Sequence, residues 1–296
     1  VKRILFALAL AVAALSAGPA SAHMFWINLS ESFNHPPGHV TSVLGFGHSL
    51  PLDDFLAGEH GVIKLDRYEL VAPDKSRFAL GLPDIQVSPA QQTPTKMAVT
   101  TGDLGLRKIA RTRDSAPGTY QVVAQSRPMY FTSYLDAKGK QRMAPLSLDQ
   151  IKDIKTPLVS MKYMSYAKSF FALDQWTAPE PVGHDLELMP LTDLSDLHAG
   201  DLVRFKVTFK GKPVSADAKA MHSMTCTSNT FGGPDKFHLD SYLMNGEAQF
   251  RMPSAGQWVA NVYYKQEVAG SPQLENEKGK CTVIYTAGTI GFTVKP

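Results

Sequence analysis

A strict alternation of apolar and polar side chains runs through the C-terminal third of the chain. Val203, Phe205, Val207 and Phe209 alternate with Arg204, Lys206 and Thr208, and Ala248, Phe250 and Met252 with Gln249 and Arg251. Trp258, Ala260, Val262 and Tyr264 share one parity. Successive side chains of a strand point to opposite faces, so each such segment buries one face and wets the other. Gly211-Lys212-Pro213 and Ser254-Ala255-Gly256 punctuate the run. Short strands broken by turns at this spacing predict an antiparallel sandwich of immunoglobulin size, with Trp258 in its core and Ile290, Phe292 and Val294 in its last strand.

The preceding part also reads as strands and turns. His39 to His48 and Ile63 to Val71 are β-rich, and Thr119 to Gln125 follows the turn signal Pro117-Gly118. One short helix is expected after Ser147, with Gln150 completing a capping box, running to about Lys155 before Pro157 breaks it. Ser165 to Leu173 fits helix or strand. Thr177 to Gly183 contains two prolines and resembles a linker. The expectation is a mainly β protein of two sandwich-like domains, 23–180 and 184–296, the second Ig-like, with one or two short helices in the N-terminal half.

Residues 1–22 have a different character. Lys2 and Arg3 precede an apolar run from Ile4 to Leu15, and Ala20-Ser21-Ala22 closes the segment with small residues. This is the pattern of a cleaved secretory signal peptide, too short in its apolar part to span a bilayer. The expected location is the periplasm, with no membrane insertion after cleavage. The formal net charge is +3, or +1 without Lys2 and Arg3. Such a balance gives no electrostatic basis for nucleic-acid binding.

Cleavage after Ala22 makes His23 the first residue of the mature chain. Its α-amine and imidazole Nδ1 can then close a chelate ring on a transition metal, and nitrogen donors of this kind suit nickel, cobalt, copper and zinc. Met24-Phe25-Trp26-Ile27 would pin that terminus into the fold as a strand. Of nine histidines, five fall between positions 23 and 60. His48 follows a strand and the Gly45-Phe46-Gly47 tripeptide, and is the expected partner of His23. His60, beside Glu59, is a further candidate ligand, and His184 is one that could face an inter-domain cleft. His35, His39, His198, His222 and His238 read as loop or surface residues. Cys226 and Cys281, in an oxidising compartment, are expected to form a disulfide, with a thiolate metal pair as the alternative.

No phosphate-binding glycine loop, G-x-S-x-G elbow or H-E-x-x-H helix is present. Four features occur in order: His23 with Trp26; Gly47-His48-x-x-Pro51; Gly183-His184-x-Leu186-Glu187-x-x-Pro190-Leu191; and Ala199-Gly200-Asp201 leading to Gly211-Lys212-Pro213-Val214, with Gly256-x-Trp258 near the end. This order resembles a bacterial periplasmic family catalogued as a domain of unknown function and commonly described as the periplasmic component of cobalt or nickel uptake systems. The resemblance implies a β-rich exported protein with an Ig-like C-terminal sandwich. It also implies a role in nickel or cobalt handling beside a membrane uptake transporter, with His23 and His48 as ligands. The segment Asp240 to Gly246 departs from the family's shorter turn. A copper-dependent oxidase acting on polysaccharide through a histidine brace, and a non-catalytic scaffold or adhesion sandwich, are the alternative readings.

Overall fold

The computed structural model describes residues 23–58, 61–216, 221–231 and 237–296; the expected signal peptide lies outside them. Among the described residues the structure is mainly β, with almost no helix. In order, the main strands are β1 (Met24–Ser32), β2 (His39–Gly47), β3 (Leu65–Val71), β4 (Arg77–Ala79), β5 (Arg107–Ala110), β6 (Gly118–Ser126), β7 (Met129–Asp136) and β8 (Gln141–Ala144). There follow β9 (Ile154–Leu173), β10 (Leu186–Pro190), β11 (Leu202–Phe209), β12 (Ser223–Ser228), β13 (Leu239–Tyr242), β14 (Glu247–Arg251), β15 (Gly256–Glu267) and β16 (Val283–Val294).

A ten-stranded sheet, in the order β13-β12-β15-β16-β9-β6-β3-β4 with the β7–β8 hairpin added on β9, runs through both halves of the chain. β9 and β16 join the halves as a parallel pair, Met161–Ser169 against Val283–Gly291. Each face of this sheet carries a smaller sheet. The β1-β2-β5 sheet covers one face, and Phe25, Ile27, Leu44 and Phe46 meet Tyr68, Val122, Ala124, Ala167 and Phe171 there. The sheet of β10, β11 and β14 covers the other face. There Leu186, Leu188, Val203, Phe205 and Phe250 meet Tyr166, Phe170, Trp258, Ile290 and Phe292. The mainly β, sandwich-like architecture expected from the alternation is therefore present, with β9 supplying alternate residues to both cores.

Two glycines of β16 permit these close approaches. A Cβ on Gly288 would meet Leu188 at 2.6 Å on one face, and a Cβ on Gly291 would strike the Ile27 carbonyl on the other. Phe25 O also accepts a 2.7 Å hydrogen bond from Thr289 Oγ1. The free edge of β1 is thus seated on β16.

Several expectations are corrected. The helix after Ser147 is a single 3-10 turn, Leu148–Gln150. The capping interaction forms, with Gln150 Oε1 accepting from the Ser147 backbone N–H at 3.3 Å. Asp153 then takes a left-handed φ of 64° and β9 begins at Ile154, so the helix does not propagate. Pro157 lies within β9 at a register irregularity opposite Tyr134, where its missing N–H is tolerated. The second short helix, Pro272–Glu277, lies in the C-terminal half. Ser165 to Leu173 is strand. The linker-like segment is strapped to the large sheet: Thr119 and Thr177 exchange backbone-to-hydroxyl hydrogen bonds, Gln121 Nε2 donates to Glu180 O at 2.8 Å, and Arg77 Nη2 donates to Val182 O at 2.6 Å.

Cys226 and Cys281 do not form the expected disulfide; both are free and buried. Cys226 packs in the core around Trp258, and Cys281 in a separate cluster with Val268, Leu274 and Ile284. Cys226 pairs with Ala260 of β15, whereas Val283, two residues past Cys281, pairs with Glu267 of the same strand. Seven residues of strand span about 23 Å, and a disulfide needs Cα atoms within about 7 Å.

Candidate metal centre

β1 and β2 pair antiparallel from Ser32–His39 to Met24–Gly47. On the inward face the cross-strand rows are Ile27–Leu44 and then Phe25–Phe46. One row further, beyond the last ladder pair, stand His23 and His48. Their ring centroids are 4.3 Å apart with planes at 48°, and the His23 ring stacks on Phe46 at 5.1 Å. Both residues are half-buried. The imidazole pair therefore continues the apolar row at its open end, where side chains pass from core to solvent.

The turn after β2 fixes the second imidazole. Gly47 has a φ of +125°, and a Cβ there would run into the Asp53 side chain. Asp53 Oδ2 accepts the His48 backbone N–H at 2.6 Å, and Phe46 O accepts from Asp54 N at 3.0 Å. Pro51 O receives two side-chain donors from β1, Trp26 Nε1 at 3.3 Å and Asn28 Nδ2. The Trp26 indole packs against Gly45, where any Cβ would overlap it. Gly45, Gly47, Pro51 and Asp53 thus act with Trp26 and Asn28 as one device that holds the 48–53 turn against β1. The sequence marks Gly45-Phe46-Gly47 as a flexible joint before His48; in the structure the two glycines make room instead, Gly45 for the Trp26 ring and Gly47 for the Asp53 side chain.

The other predicted residues are not gathered here. His184 is 6% exposed and stacks on Tyr166 at 4.5 Å. Tyr166 and Ala167 point to opposite faces of the central sheet, and only Ala167 joins the core that contains Phe25 and Phe46. The central sheet therefore stands between His184 and the His23–His48 pair. Beside His184, the Glu187 carboxylate accepts the Gly183 and His184 backbone N–H groups at 2.9 Å each and pairs with buried Lys168. Burial, then the cationic Lys168, Arg67 and Arg77, hold the His184 imidazole well below its ordinary pKa. The Gly-His-x-Leu-Glu motif thus builds a buried polar junction. His60 lies outside the described residues. His35 and His39 sit at the far end of the β1–β2 ladder, and His222 stacks on Tyr264. Among the described residues no three His, Cys, Asp or Glu side chains converge on one point.

The pair His23–His48 brings two imidazoles together at a half-buried position. No curated protein matches the chain. The family described as a domain of unknown function, DUF4198, matches residues 20–266, most of the sequence. The chain belongs to this family.

Proposed function

We propose that the protein is exported and binds one transition-metal ion, nickel or cobalt with copper as a further candidate, through His23 and His48, for delivery to a membrane uptake system. The observation that carries this reading is the 4.3 Å approach of the two imidazoles at the end of a pinned strand. A metal–nitrogen bond of about 2.0–2.1 Å puts each imidazole centre roughly 3.2 Å from the ion, so two rings at right angles about it have centres about 4.5 Å apart. The spacing suits adjacent, right-angled positions on an octahedral or square-planar ion; a tetrahedral pair would by the same arithmetic stand about 5.2 Å apart. A trans pair, as a copper brace requires, needs centres about 6 Å apart by the same arithmetic, which favours binding over the oxidase reading. Removal of residues 1–22 would add the His23 α-amine as a third nitrogen.

The test is calorimetry with Ni²⁺, Co²⁺, Cu²⁺ and Zn²⁺ on protein matured by export, its first residue verified by mass spectrometry. We expect micromolar or tighter binding of one ion. One extra residue ahead of His23 weakens it strongly, and so does His48→Ala. A verified His23 terminus that takes up none of the four ions overturns the reading.

A further inference from the structure

β9 and β16 pair only as far as Ser169–Gly291. Beyond that row β9 runs on to Leu173 and β16 to Val294, each held by its outer neighbour, β6 or β15, and no longer by the other. The central sheet is split at this end. The split opens into a cleft of about 690 Å³, whose walls also include β1 beyond Ile27 and residues 193–195. A space of this size is that of a ligand site.

β1 is the edge strand of its own sheet. Its ladder with β2 is regular, so successive residues aim their backbone groups at opposite edges. Leu44, opposite Ile27, donates its N–H away from β1, to Leu104 O at 2.9 Å. The Ile27 backbone groups therefore point away from β2, and its carbonyl accordingly lies against Gly291 of β16. The same parity turns the N–H and C=O of Leu29 and Glu31 outward, where no strand pairs with them and the cleft lies. No hydrogen bond from the described residues reaches these four groups. An open strand edge is a template for another extended chain. The edge is recessed inside the split, so a single extended segment can reach it, whereas a second copy of the chain carries its own β1 edge recessed in the same way.

The charges indicate what kind of segment. Of the cations lining the cleft, Arg111 is paired with Glu31 and lies 4.6 Å over the Phe33 ring, and Lys295 is paired with Asp196 at 2.8 Å. Asp174 and Asp193 also line it, and neither meets a cation among the described residues. Phe33, 60% exposed, and half-buried Trp176 supply apolar wall.

We propose that the cleft binds an extended, basic segment of a partner protein, which adds to β1 along Leu29 and Glu31 as a further strand while its lysines or arginines meet Asp174 and Asp193. The cleft lies toward the opposite end of β1 from His23, and the proposal does not rest on the metal site.

The experiment is fluorescence anisotropy of the export-matured protein with three fluorescein-labelled octapeptides: alternating lysine and valine, alternating glutamate and valine, and the first peptide N-methylated at every second residue. We expect the lysine peptide to bind. The glutamate peptide should bind at least about tenfold more weakly, from the charge, and the N-methylated one likewise, from its lost main-chain hydrogen bonds. Asp174→Asn/Asp193→Asn should weaken the lysine peptide about tenfold, and Thr293→Trp, which fills the cleft from exposed β16 sequence, should abolish its binding. Circular dichroism checks that both variants are folded. No anisotropy change with the lysine peptide, equal binding of the glutamate peptide, full binding of the N-methylated one, or binding unmoved by Thr293→Trp would each overturn the proposal and leave the histidine pair untouched.

Discussion

The Lys168 ammonium and the Glu187 carboxylate form an ion pair sealed between the central sheet and β10, with side chains 2% and 5% exposed. Lys168 also donates to Leu188 O at 3.3 Å, and Glu187 holds two backbone N–H groups. A buried pair is a weak source of net stability, but removing one partner strands the other charge. Lys168→Ala or Glu187→Ala should therefore each cost about 3–5 kcal/mol. Lys168→Met/Glu187→Leu should recover much of the loss from the ion pair. Urea denaturation of the four proteins measures this, and a double variant as unstable as the singles would contradict it.

His184 should make stability fall in acid. Its pKa is held down by burial and by three nearby cations, so the folded chain binds fewer protons than the unfolded one once the pH drops below about 6.5. Its stabilising contribution is complete above that pH. It is lost as the pH falls through the unfolded value toward the folded one, at up to about 1.4 kcal/mol per pH unit. His184→Phe preserves an aromatic face for Tyr166 and removes the titration. Its unfolding free energy should vary less between pH 6.5 and 5, and an equal slope in both proteins would refute the assignment.

Pro51 O couples β1 to the turn that carries His48. Asn28→Ala removes one of its two side-chain donors and should destabilise by about 1–2 kcal/mol. Because the turn is loosened, metal affinity should fall about tenfold although no ligand is changed, a size typical of residues that orient ligands. Thermal unfolding and metal titration of the same sample separate the two effects. Lost stability with unchanged affinity would show that the turn does not position His48.

Both thiols should remain reduced in the folded protein. Burial raises the pKa of Cys226, and burial with the Glu277 carboxylate raises that of Cys281, so neither is a ready thiolate. A thiol reagent should find almost nothing in the native protein and two groups after denaturation without reductant. Intact mass should carry no two-dalton deficit, and reductant should leave the melting temperature unchanged. A mass deficit in folded protein would contradict the distance between β12 and the start of β16.

Much of the architecture can be read from side-chain parity. Val203, Phe205 and Val207 are buried and Arg204 and Lys206 exposed, whereas in β15 Trp258 to Val262 are buried without alternation. The pairing of His23 with His48 follows from the hydrophobic strand after one and the glycines before the other. Parity does not reveal which strands adjoin across long separations. The β9–β16 pairing unites residues more than a hundred positions apart, and it turns a linker-like segment into a strap across the sheet. The cysteine expectation failed for the same reason, because compartment and count carry no distance. His184 was singled out by its motif, but Lys168, the charge that gives the motif its purpose, lies in a segment that fitted helix or strand equally. A lysine inside the run Ser165–Leu173 was the available sign of a buried partner.

The nine-residue contact between β9 and β16 also limits how this gene can be divided. Cutting at Thr177–Gly183 and producing the pieces separately would strip one ladder from each strand, exposing long raw edges that recruit other chains. Such halves should clump when made apart and regain solubility when co-produced, each acting as chaperone for the other.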